Sequence, residues 1–249
     1  MNRRCVLRLI SAIAFAAAFC QCSRSPRTVD EVIERHTKAV GGRAALKAIQ
    51  SIEMDLHITD PAFQVDATYF AARPGKMRID INAKGEHVFT EAFDGKNGWQ
   101  WNGKEQKAAT EQATAALRHG VELPGKLFGL HELKARGHRI ELAGRENIDG
   151  TNYYALRLTL SDGYTTTLYV DPSSWLVTRR RDVRPLHVDV DPTPTTIEQR
   201  SSDFRTIAGV QFAFTSSDTD LQSGKVLESA TVKKVKINPP FVPAVFEKL

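Results

Sequence analysis

From Ser51 the sequence alternates between apolar and polar residues, which constrains the fold more than any other feature. Ile52, Met54, Leu56 and Ile58 interleave with Glu53, Asp55, His57 and Thr59. Successive side chains of a strand point to opposite faces, so this pattern predicts a strand with one buried and one wet face. Phe63, Val65, Ala67 and Tyr69 continue it, and Met77, Ile79 and Ile81 repeat it after a turn at Pro74-Gly75. His87 to Phe93 follows, then a turn at Asp94-Gly95-Lys96-Asn97-Gly98 leads into Trp99-Gln100-Trp101. The pattern resumes at Arg139 to Glu146. Tyr154, Leu156, Leu158 and Leu160 then form an apolar face, and Ser161-Asp162-Gly163 gives a hairpin turn into Tyr164 to Val170. Trp175 to Asp182, Thr195 to Phe204, Val210 to Ser216 and Val226 to Ile237 complete the set. Short connections predict antiparallel neighbours paired in sequence order. So many half-wet strands exclude a sheet covered by helices on both faces. The expected class is mainly β (α+β): about eleven strands in one strongly curved antiparallel sheet, closed or nearly so.

Two helical stretches interrupt the strands. Thr28-Val29-Asp30-Glu31 fits a capping box, and Val29, Val32, Ile33, His36 and Val40 recur at helical spacing. Gly41-Gly42 stops that helix, and a short second one is expected over Arg43 to Ile49. Between the strand blocks, Glu105 to Gly137 is rich in alanine and reads as a helical insertion broken at Pro124-Gly125. It is expected to act as a plug or lid for the curved sheet.

Residues 1–23 read as a secretion signal. Arg3, Arg4 and Arg8 precede an apolar run from Leu9 to Phe19, and Ala16, Ala17 and Ala18 supply small residues near a cleavage point. The run falls short of the about 20 apolar residues a spanning helix needs. All three cysteines, Cys5, Cys20 and Cys22, lie in or beside this segment. Cleavage beyond Cys22 leaves a body without thiol or disulfide chemistry. Cleavage before Cys20 or Cys22 would leave a lipidation site, although Phe19 and Gln21 fit a lipoprotein signal poorly. The expected location is the periplasm, or the outer membrane if a cysteine is acylated. The full chain carries +5, but without Arg3, Arg4 and Arg8 it has 31 basic residues against 29 acidic ones. That near-neutral balance gives no reason to expect nucleic acid as a partner. The one dense basic run, Arg179-Arg180-Arg181, reads as a solvated strand end. The remaining stretch of about 225 residues, without a Pro- or Ser-rich linker, reads as one domain.

No catalytic constellation emerges. His131-Glu132 begins like a zinc-protease motif, but Ala135 stands where the second histidine belongs. His187, Asp189 and Asp191 would share one face of an extended segment and could seed a metal shell, but Pro185 and Pro192 mark a loop or edge. There is no G-x-S-x-G elbow, phosphate-cradling loop or cysteine nucleophile in the mature chain. The chain is expected to be a non-enzyme without cofactor or metal, working as a monomer.

Several spaced pieces resemble the LolA/LolB-like periplasmic outer-membrane lipoprotein-sorting proteins, in their long variant. They are Val40-Gly41-Gly42 with Ala45-Leu46-Lys47-Ala48-Ile49, Arg73-Pro74-Gly75-Lys76-Met77-Arg78, Phe93-Asp94-Gly95 with Gly98-Trp99, and Tyr169-Val170-Asp171-Pro172 with Leu176-Val177. Further on come Asp203-Phe204-Arg205 with Gly209-Val210-Gln211-Phe212, Val235-Lys236-Ile237-Asn238, and Phe246. The resemblance spans 28–249. It implies an unclosed β-barrel around helices, with an apolar cavity for acyl chains of lipoproteins or other lipids, and no catalytic residues. It also implies an arginine inside the barrel, to which no position here is assigned. An inward apolar face that helices leave partly unfilled forms a greasy, pre-formed site. The candidate lining is Met54, Leu56, Met77, Ile79, Trp99, Trp101, Leu156, Leu158, Leu168 and Phe212, although an apolar inner strand face is ordinary core by default. Expected partners are lipid or lipoprotein acyl chains and the membrane surface. The alternative is a non-catalytic structural or interaction module of the envelope.

Overall fold

A computed structural model describes residues 25–240 and 243–247. The segment 1–23 expected to be a signal, with Cys20 and Cys22, lies outside the described residues. The chain enters as helix α1 (Val29–Ala39), started by the anticipated capping box. The Glu31 amide donates to Thr28 Oγ1 at 3.2 Å, and the Thr28 amide donates to Glu31 Oε2 at 3.3 Å. Helix α2 (Gly42–Ala48) follows directly. Gly41, at φ 124°, makes the corner between them. A Cβ there would lie 2.0 Å from the Gly209 carbonyl oxygen, so only glycine lets the two backbones meet.

Strands β1 (Ser51–Thr59), β2 (Gln64–Ala72), β3 (Lys76–Ala83), β4 (Glu86–Phe93), β5 (Gly98–Trp101) and β6 (Gln106–Ala108) form a meander towards one edge. The chain then crosses the inner face through α3 (Glu111–Glu122) and short 3-10 turns at Leu130–Glu132 and Lys134–Arg136. It returns from the far edge as β7 (Arg139–Ile148), β8 (Thr151–Thr159), β9 (Thr165–Val170), β10 (Val177–Arg184), β11 (Thr195–Ile207), β12 (Val210–Asp220) and β13 (Val226–Ile237). Antiparallel pairing of β13 with β1 welds the two meanders into one sheet of thirteen strands. Among the described residues β6 and β7 remain its free edges, so the barrel is unclosed.

The sheet thus exceeds the expected eleven or so strands, and β6 was not foreseen. Its alanine lies in a stretch that reads as helix, but Asn102 reverses the chain first. The Asn102 side chain accepts from the Lys104 and Glu105 amides, and the returning segment pairs with β5. Turn chemistry here overrides helix propensity.

The crossover fills the trough as a plug. Leu117, Val121, Leu127 and Phe128 pack with Met54, Tyr69, Met77 and Phe212 in one core cluster. Leu123, Leu130 and Leu133 join Val32 and Ile33 of α1 against Leu156, Leu158 and Leu168 in a second. Arg73 pins the plug to the sheet: it donates to Glu132 at 2.7 Å and to the Ile49 and Leu127 carbonyls at 2.9 Å. Gly98 permits α3 to approach β5, since a Cβ there would sit 2.6 Å from Thr114 Oγ1. His36 of α1 is buried against the Trp175 carbonyl at 2.8 Å, and burial lowers its pKa to about 4.

Candidate ligand-binding hollow

Residues opposite one another in an antiparallel ladder share a face, so register sorts the candidate lining. Ile79 opposes Tyr69 and Glu91, Tyr69 opposes Met54, and Leu56 opposes Val232. These face inward with Met77 and Phe212. Leu156 opposes Leu168, and with Leu158 they face inward too. Trp99 and Trp101 do not. Trp99 opposes Ala92, which opposes Arg78, and Trp101 opposes Thr90, which opposes Asp80. Both tryptophans therefore lie on the outer face, opposite to Ile79. The Trp99 indole N–H donates to the Phe246 carbonyl at 2.9 Å, and Trp101 lies against the His87 ring. In this four-residue strand the inward positions are Gly98 and Gln100, a parity that its large residues disguise.

The eight inward residues do not share one environment. Leu156, Leu158 and Leu168 are buried under α1 and the 3-10 turns, and Met54, Met77 and Phe212 under α2 and α3. Leu56 and Ile79 stay partly accessible, as do their inward neighbours Val65, Ile81, Phe89 and Val232. These partly accessible apolar side chains on the inner side of the curved sheet mark the candidate hollow.

Opposite this greasy wall the sheet turns polar. The row Leu156, Leu168, Arg180, Gln199, Asp218 and Glu228 runs across β8 to β13 through successive ladder partners. Arg180 and Arg184 flank Asp182 at 3.2 and 3.3 Å, and Arg184 also pairs with Asp218. The Tyr164 hydroxyl donates to Asp182 at 2.6 Å, and Gln199 donates to Asp218 at 3.0 Å. Burial, then the nearby Asp189, raises Glu91 to about 7. Burial, then Asp218, raises Glu228 to the same value. Lys126, at the tip of the turn after α3, reaches into this space with its ammonium 4.1 Å from the centre of the Tyr69 ring.

The arginine run is therefore no solvated strand end. It lies inside β10, with Arg180 facing inward. Arg179 and Arg181 point outward and grip Glu198 at 2.8 and 2.7 Å, joined by Arg200 at 2.8 Å. Glu198 has only 1% of its surface exposed. Beside it an outer depression of about 330 Å³ is lined by Tyr153, Arg179, Arg200 and the hydroxyls of Ser202, Thr215 and Ser217. Its arginines are already paired, which makes it the weaker candidate.

Residues 185–194 cross the open end. The Asp189 carboxylate accepts from Gln100 Nε2 and from Thr110 Oγ1, while His187 lies 3.9 Å from Asp60. The segment is a loop, as Pro185 and Pro192 suggest: the Val190 and Asp191 amides both donate to the His187 carbonyl in a turn. The three candidate metal ligands therefore diverge, and among the described residues no group of three His, Cys, Asp or Glu side chains is placed to hold a metal ion. No helix among the described residues is long and apolar enough to cross a membrane.

The architecture is thus a half-barrel, open along one side, around a helical plug. Three solved structures share it. One is a LolA superfamily protein from Nitrosomonas europaea, with TM-score 0.58 and 13% identity, covering 90% of this chain and 99% of that one. A DUF1329 family protein from Desulfovibrio piger gives TM-score 0.59 at 12% identity, over 88% and 97% of the two chains. A domain from Vibrio parahaemolyticus, provisionally named an outer membrane lipoprotein-sorting protein, gives 0.55 at 11% identity, over 87% and 95%. The chain has the LolA-like fold. No protein-family model and no curated protein matches its sequence.

Proposed function

We propose that this protein is a non-catalytic carrier or acceptor in the cell envelope, binding a lipid or lipoprotein acyl chain in the hollow. The observation that carries this reading is the set of apolar side chains, Leu56, Ile79 and Ile81 among them, that remain accessible on the inner face of a packed sheet. Each methylene of an acyl chain buried there contributes about 0.8 kcal/mol. Structural likeness to a protein named for lipoprotein sorting supports the same reading. The distribution of exposed apolar residues adds to it. Phe63, Val88, Val183, Val190, Leu221 and Val226, the large apolar side chains exposed among the described residues, gather on the turns and strand ends at one end of the sheet. An apolar rim of this kind suits contact with a membrane surface. The signal at 1–23 would deliver the chain to the periplasm, and acylation at Cys20 or Cys22 would tether it to the outer membrane.

The test is intact-mass and lipid mass spectrometry on protein purified from its native envelope. Co-purifying amphiphile is expected at a fixed ratio to protein. Protein that carries no lipid and takes up none when offered it would favour the scaffold alternative.

A further inference from the structure

Resting on that reading, we propose that Lys126 and Tyr69 form a headgroup site inside the hollow, and that the ligand is an amphiphile with an anionic headgroup, a carboxylate or phosphate.

The cations beside the polar end of the inner wall, Arg180, Arg184 and Lys126, are of unequal standing. Arg180 and Arg184 are engaged by Asp182 and Asp218. Lys126 has no carboxylate within ion-pair distance among the described residues. Its nearest partner is the face of Tyr69, which attracts a cation but leaves all three N–H donors free. The Tyr69 hydroxyl is the second observation. This side chain is 3% exposed, and its oxygen has no hydrogen-bond partner. An orphaned buried hydroxyl costs about 1–3 kcal/mol, and a polar group arriving at the site relieves that cost. An ammonium and a hydroxyl that can both donate suit an acceptor placed between them. An anionic oxygen satisfies both with charge-assisted bonds.

The apolar wall lies where the tail would run. Ile79 opposes Tyr69 across β2 and β3, so a headgroup at Lys126 places the chain directly against Ile79 and Leu56. The other charges facing Lys126 do not defeat an anion. Asp218 is neutralised by Arg184. Glu228 is pushed up to about 7 by burial and can take a proton. Arg180 adds positive potential beside the solvent-accessible Lys126 ammonium.

The experiment displaces a fluorescent fatty acid from the delipidated mature protein with dodecanoate, dodecyl phosphate and dodecanol. The wild type is expected to hold one or both anions at least about tenfold more tightly than dodecanol, the worth of a charge-assisted contact. Lys126→Met should remove that preference while dodecanol affinity stays within about twofold, and Tyr69→Phe should weaken the anion by about fivefold. Lys126→Arg, which keeps the charge, should keep the anion preference. Equal affinity for dodecanol and both anions, or unchanged anion binding in Lys126→Met, overturns the headgroup site and leaves acyl binding intact. Failure of every probe to bind the wild type overturns acyl binding itself.

Discussion

Leu133→Ala is expected to destabilise the protein by about 3–4 kcal/mol, measured by urea unfolding. Leu133 is fully buried in the crossover, packed among Leu130, Ile140 and Leu156. Removing its isobutyl group leaves a cavity between α1 and β8 that the surrounding leucines cannot close without breaking their own contacts. The loss should appear in the global transition. If the crossover were a lid, the substitution would leave global stability within about 0.5 kcal/mol and speed only local hydrogen exchange in 127–137. That outcome would return the crossover to a gating role.

Glu198→Ala should cost about 3 kcal/mol, again in global unfolding. Burial works against the Glu198 carboxylate, but Arg200, Arg181 and Arg179 outweigh it and hold its pKa below the usual glutamate range. Truncation leaves three guanidinium groups facing one another, of which Arg179 is the most enclosed. The estimate sits at the low end for a broken buried network because Arg200 is half exposed and can turn to water. The pH dependence has a definite sign. A carboxyl whose folded pKa is depressed stabilises above its unfolded value and loses that contribution as pH falls through the folded one. The gap between wild type and Glu198→Ala should therefore be full at neutral pH and shrink as acid passes the ordinary glutamate range. A gap that stays constant, or widens in acid, would contradict the arginine cage.

Much of this fold is legible in the residues because half-wet strands alternate visibly. Ile52 to Ile58 and Tyr154 to Leu160 announce both their strands and their inner faces, and Thr28 with Glu31 announces the first helix. Parity fails where a strand is short. Trp99 and Trp101 look like the inner face of β5, but Gly98 and Gln100 occupy it because α3 must approach the backbone there. The polar wall is hidden for a different reason. Arg180, Asp182 and Arg184 alternate as a solvated face would, and only the pairing of β10 with β9 and β11 turns that face inward. Counting back from the turn at Asp171-Pro172 would set Leu168 against Arg179, and a bulge between Val177 and Arg179 brings Arg180 there instead. Lys126 could not be placed at all, since it sits on a turn whose path depends on how α3 crosses the sheet.

The central claim is that the hollow beneath the plug receives an acyl chain. Titrating a fluorescent fatty acid into delipidated wild type and into Ile79→Trp, which fills the hollow from β3, tests it most directly. Saturable binding is expected in the wild type, and at least about a tenfold loss in a variant that still unfolds cooperatively. No saturable binding to the folded wild type, or equal binding with the hollow filled, would contradict it.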